Sequence, residues 1–134
     1  YRGTDPTPVR ECLMTSYNGP AKIGKAVCMP GDIVMGTTSG ILFIPAYLVE
    51  ELVNSAEKSH AKDIFGFAML EQGIYTAAEI DSTVWPEEMV DKMINFIEHD
   101  SSCEKYRGLD WSLEIDAARG NQEAVDELMK GYLV

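Results

Sequence analysis

Residues 30–45, Pro-Gly-Asp-Ile-Val-Met-Gly-Thr-Thr-Ser-Gly-Ile-Leu-Phe-Ile-Pro, constrain the fold more than any other stretch. Pro30-Gly31 is a turn dipeptide, because proline fixes φ and glycine tolerates positive φ. Ile33, Val34 and Met35 form one short apolar run, and residues 41–44 form a second. Residues 36–40 between them are small and polar, as a tight loop should be. Two such runs predict a β-hairpin with a five-residue loop, buried on at least one face. Pro45 ends the second strand, since it has no N–H for the ladder and suits the first turn of a helix.

The chain before this hairpin reads as β-structure. Residues 1–10 are loop, rich in Gly, Pro and Thr. Residues 11–17 read as a strand, with Cys12, Met14 and Ser16 on one face and Leu13, Thr15 and Tyr17 on the other. Asn18-Gly19 is a hairpin signal. Residues 22–29 read as one strand broken at Gly24.

After Pro45 the period changes. Leu48, Val49, Leu52, Val53 and Ala56 recur at helical spacing, and Ile64, Phe65, Ala68 and Leu70 extend the face. Gly66 is a point for a bend, and Gly73 a C-cap. Thr76 and Glu79 fit a capping box. Pro86 opens a helix with Glu87 and Glu88 in its first turn and Met89, Val90, Met93, Ile94 and Ile97 as its stripe. Asp110 caps a helix bearing Trp111, Ile115 and Ala118 that stops at Gly120-Asn121. A last helix carries Ala124, Val125, Leu128 and Met129. The expected class is α/β, with a β-rich first third followed by helices.

A formal net charge of −11 repels phosphate backbones, so nucleic acid is not an expected partner. No apolar run approaches the ~18 residues of a membrane span. The chain opens on polar, turn-forming residues rather than a secretory signal, and the expected location is cytoplasmic. Three widely spaced cysteines, Cys12, Cys28 and Cys103, with no C-x-x-C, read as reduced thiols.

Few residues point to chemistry by spacing. Asp32 is either a metal or substrate carboxylate or a turn aspartate bonding nearby N–H groups. The loop at residues 36–40 either cradles an anion with its N–H groups or is a plain turn, and it is too short and lacks the lysine for a P-loop. His60 and Asp63 lie three apart on one helix face. They are either an acid–base pair or a solvated flank. There is no H-x-x-x-H, H-E-x-x-H or Cys/His cluster, although Mg²⁺ needs only one or two protein carboxylates. Met89, Met93, Trp85 and Trp111 read as core. Glu87, Glu88, Asp91, Glu123, Asp126 and Glu127 read as solvated faces.

Pro30-Gly31-Asp32, Gly36, Gly40, Ile44 and Pro45 together resemble the C-terminal signature of the RraA-like family, with Thr37 and Ser39 where that family usually has acids. Tyr1-Arg2-Gly3-Thr4-Asp5-Pro6 is similar to the family's aromatic-x-Arg-Gly-x-x-Pro segment. Asp63-Ile64-Phe65-Gly66 and Gly73-Ile74-Tyr75-Thr76 resemble a longer-tailed branch. The family holds ribonuclease-binding regulators and divalent-metal-dependent aldolases of 4-hydroxy-4-methyl-2-oxoglutarate type that also decarboxylate oxaloacetate. Many members carry the label demethylmenaquinone methyltransferase, which no methyltransferase motif here supports.

The resemblance implies the C-terminal part of a swivelling β/β/α-type fold over residues 1–75, with a helical extension over residues 76–134. It implies Mg²⁺ or Mn²⁺ as cofactor, a small 2-oxo acid as substrate, and homo-trimeric or hexameric rings with sites between subunits. It places Asp63, with His60 beside it, at a neighbouring subunit's site. The Arg-Asp that the family uses for substrate and metal is absent, so a C-terminal fragment, inactive alone and with unpaired strand edges, is expected. The alternative is a non-catalytic, ribonuclease-binding interaction module.

Overall fold

The computed structural model describes residues 16–130. The chain divides into two compact units, Tyr1–Val53 and Asn54–Val134. The described elements combine two small antiparallel sheets with several helices, the mixed α/β class expected.

In the first unit, Asn18 takes a positive φ of 49°, as a turn residue. The strand expected over residues 11–17 lies outside the described residues except for Ser16 and Tyr17, which are not in a strand. The next stretch corrects the sequence reading. Instead of one strand broken at Gly24, the chain forms a hairpin of β1 (Ala21–Ile23) and β2 (Ala26–Cys28), with Ile23 opposite Ala26. Gly24 sits at φ 62° in the two-residue loop, a conformation that glycine adopts without a Cβ clash.

A turn then leads into β3 (Ile33–Thr37) and β4 (Gly40–Ile44), which pair antiparallel with Ile33 opposite Ile44 and Thr37 opposite Gly40. The loop is therefore two residues, Thr38 and Ser39, not five. Thr37 tightens it: its Oγ1 accepts from the Ser39 N–H at 3.2 Å and donates to the Gly40 carbonyl at 3.4 Å. Ile33, Met35, Leu42 and Ile44 share one face, and Val34, Ile41 and Phe43 the other. Both faces are apolar, and neither is buried. Val34 is 57% exposed and Leu42 54%. The expectation of one buried face fails because each described sheet has only two strands, too few to bury a face. Pro45 precedes a 3₁₀ turn, Ala46–Leu48, and then the helix α1 (Val49–Glu71). The expected stripe at the start of α1 is open too, with Leu52 and Val53 about half exposed.

The second unit holds the rest of α1, then α2 (Ala77–Ile80), α3 (Glu87–His99), a 3₁₀ segment Ser101–Tyr106, α4 (Ser112–Ala118) and α5 (Gln122–Lys130). Its core is contiguous. Ala61, Phe65 and Met69 of α1 meet Met89, Val90, Met93 and Ile97 of α3, with Trp85, Cys103, Tyr106 and Trp111 around them. Phe65 is fully buried, with ring centroids 5.7 Å from Trp85 and from Phe96 and 6.3 Å from Tyr75. These separations suit tilted and edge-on aromatic packing.

Helix ends follow local chemistry. The Gly73 N–H bonds the Leu70 carbonyl and the Ile74 N–H bonds the Met69 carbonyl, a Schellman stop for α1 with Gly73 at φ 66°. The same pattern recurs where Gly120 and Asn121 bond Ala117 and Asp116 after α4. Thr76 and Glu79 form the reciprocal capping box of α2. The helix α1 does not break at Gly66. That glycine instead admits Ile80, since a Cβ there would lie 2.8 Å from Ile80 Cγ2.

Candidate functional site

Asp32 closes the turn before β3. Its Oδ2 accepts from the Met29 N–H at 2.7 Å, and its own N–H donates to the Met29 carbonyl at 3.1 Å. This is the turn role of an Asx side chain, with one carboxylate oxygen engaged.

His60 and Asp63 share α1 in the second unit, and both are exposed. Neighbouring elements take them in different directions. His60 Nδ1 shares a hydrogen bond with the hydroxyl of buried Tyr106, the two rings edge-on with centroids 5.6 Å apart. Asp63 instead lines a cleft of about 100 Å³ with Phe67, Leu70, Ala77, Ile80 and Asp81. It also lines one of about 190 Å³ with Ser59, Lys62, Asp81, Ser82 and Trp85. Asp63 thus gathers a second carboxylate, and His60 a phenol.

The strongest concentration of charge lies a turn away and involves residues the sequence reading did not single out. Glu114 of α4 is buried, only 7% exposed. Lys58 Nζ reaches both of its oxygens, at 3.0 and 3.3 Å. Lys62 Nζ lies 3.7 Å from Oε1. Each ammonium also stands over a tryptophan ring, Lys58 5.3 Å from Trp111 and Lys62 5.5 Å from Trp85, favourable cation–π placements. Two cations therefore share one buried anion. Burial pushes the Lys62 amine below its ordinary 10.5. The Glu114 carboxylate opposes the shift, and the Lys58 charge adds to it.

Position explains why this cluster forms. Lys58 and Lys62 are four apart and lie along one face of α1. Trp111, Glu114 and Ala117 are three apart, and all are buried. The buried face of α4 thus runs one residue ahead of the expected Trp111–Ile115–Ala118 stripe, whose last two members are half-buried. The spacing of Trp111 and Glu114 was the available signal that this acid points inward. Trp85, Met89, Met93 and Trp111 are core, as their spacing predicted. Cys28 and Cys103 carry free thiols, Cys103 fully buried, while Cys12 lies outside the described residues.

Among the described residues, no three His, Cys, Asp or Glu side chains cluster as metal ligands would. His60 and Asp63 are therefore not part of such a cluster among the described residues. No helix of the described residues is long and apolar enough to cross a membrane. No family model, curated protein or solved structure matches the chain.

Proposed function

We propose that this chain is the C-terminal part of an RraA-like protein of swivelling β/β/α type. The intact form would be a Mg²⁺- or Mn²⁺-dependent aldolase and decarboxylase of small 2-oxo acids. The observation that carries the reading is the β3–β4 hairpin. It follows the Pro30-Gly31-Asp32 turn, ends at Pro45, and presents apolar side chains on both faces. A strand pair of that kind belongs inside a larger sheet with layers on either side. Further strands from the same protein or a ring of subunits would supply them. In this reading Asp63 acts at a neighbouring subunit's site, while His60 bonds Tyr106.

The test is pyruvate release from oxaloacetate and from 4-hydroxy-4-methyl-2-oxoglutarate by the intact natural gene product, with Mg²⁺ or Mn²⁺. Ion-dependent turnover is expected, with kcat falling about a hundredfold in Asp63→Asn, within the usual range for loss of an acid–base group. No turnover with either ion overturns the reading.

The net charge of −11 favours a second reading, a non-catalytic module that docks on a basic protein such as a ribonuclease. Binding that weakens as salt rises supports it, and salt-insensitive binding or none contradicts it.

A further inference from the structure

The helical unit hides its large apolar side chains with few exceptions. Among the described residues from 54 onward, only Phe67, Ile74 and Met129 are exposed, and Phe67, at 67%, is the most open of them. Phe67 lines the cleft of about 100 Å³ between α1 and α2, together with Leu70, Ala77 and Ile80. Asp63 and Asp81 line it too, and both also line the cleft of about 190 Å³. Neither carboxylate takes part in an ion pair among the described residues. The charge along this stretch has one sign. Residues 63–82 hold the acids Asp63, Glu71, Glu79 and Asp81 and no Lys, Arg or His. The preceding cation, Lys62, is held on Glu114 and over Trp85.

We propose that the cleft between α1 and α2 docks a basic amphipathic helix of a partner protein. The helix sets one aliphatic side chain against Phe67 and Leu70 and brings Lys or Arg side chains beside Asp63 and Asp81. The cleft lies between the ~30 Å³ share of one water and the ~150 Å³ that takes benzene, which suits a single aliphatic anchor. The described part of this unit has no strand, so an extended peptide finds no sheet edge to join, and a helix laid in the groove is the remaining common mode.

Charge selects this occupant over the others. A second copy of the chain would bring the same four acids against their like. An anionic lipid surface or a phosphate backbone is repelled for the same reason. A basic helix meets complementary charge on either side of an apolar centre. The inference rests on the docking-module reading above and gives that module a surface.

The test titrates the whole chain with a fluorescein-labelled helical peptide of about 14 residues, leucines along one face and lysines on the other. Anisotropy gives the affinity, and amide chemical shifts give the surface. Saturable binding that weakens with salt is expected, with shifts confined to residues 63–82. Phe67→Ser should weaken binding about tenfold, as loss of a central interface anchor does. Asp63→Asn with Asp81→Asn should weaken it severalfold. Glu123→Gln with Asp126→Asn, the same change of charge on α5, should leave it unchanged. Binding that Phe67→Ser does not weaken, or that the α5 pair weakens equally, overturns this surface and leaves the docking-module reading in place. Shifts spread over the acidic faces of α3 and α5 do the same. No binding by the native chain overturns both. The shift map needs no variant and decides alone if Phe67→Ser does not fold.

Discussion

The hairpin β3–β4 and the helix α3 carry comparable apolar runs, yet they end in opposite environments. In α3, Met89, Val90, Met93 and Ile97 are at most 2% exposed. In β3, Ile33, Val34 and Met35 are 44–57% exposed. A helix concentrates its apolar residues on one stripe, so a single neighbouring layer covers them all. A strand with consecutive apolar residues sends them alternately to two faces, so it needs a layer on each side. The helical unit has the layers it needs, whereas the described hairpin unit has none. This contrast assigns the stability of the described chain to residues 54–130 and leaves the apolar faces of β3 and β4 open.

The largest expected effect sharpens the contrast directly. Phe65→Ala should lower unfolding free energy by about 4 kcal/mol in denaturant titration, the cost of emptying a fully buried aromatic site. Leu42→Ala in the hairpin should cost within about 0.5 kcal/mol, like other surface substitutions. Equal losses at the two positions would break the comparison.

Next comes the ionic cluster. Glu114→Gln leaves two mostly buried ammonium groups without their carboxylate and should cost about 3 kcal/mol. Replacing one of the two cations is a smaller matter. Lys62→Met keeps the closer Lys58–Glu114 pair and should change stability at pH 7 by less than about 1 kcal/mol.

The pH dependence of Lys62→Met is more informative. The folded protein holds the Lys62 proton less tightly than the unfolded chain, whose lysine titrates near the ordinary 10.5. Between the depressed folded value and 10.5, the unfolded state binds more protons, so Lys62 makes stability rise with pH in that window. Below the folded value both states are protonated and the contribution is a constant penalty. Lys62→Met should therefore flatten the alkaline part of a stability–pH profile. An unchanged slope would contradict the charge assignment.

Local signals in the sequence were legible where one or two residues decide the outcome. Thr76 with Glu79, Gly73, Gly120 and the stripe of α3 each depend on contacts within a few residues, and each appears as read. The two-residue loops at Gly24-Lys25 and Thr38-Ser39 were hidden. Gly24 can interrupt a strand or turn it, and Gly36 and Thr37 look like loop residues although they pair in the ladder. The 3₁₀ segment Ser101–Tyr106, which buries Cys103 and Tyr106, is too short for a periodic signal. The Lys58–Glu114 contact joins residues 56 apart, which no local pattern encodes. Burial of the hairpin was misjudged for a different reason: apolar residues record that a strand needs covering, not which chain provides the cover.

Residue-resolved amide hydrogen exchange on the isolated chain tests this account most directly. Protection factors would be compared between β3–β4 and the helices α1 and α3. Amides around Phe65 and Met93 should exchange only through global opening of the helical unit, while those of Ile33–Thr37 and Gly40–Ile44 should exchange through a much smaller local opening. Hairpin amides as protected as those of α3, in a chain shown to be monomeric, would contradict the claim that the stability lies in the helical unit.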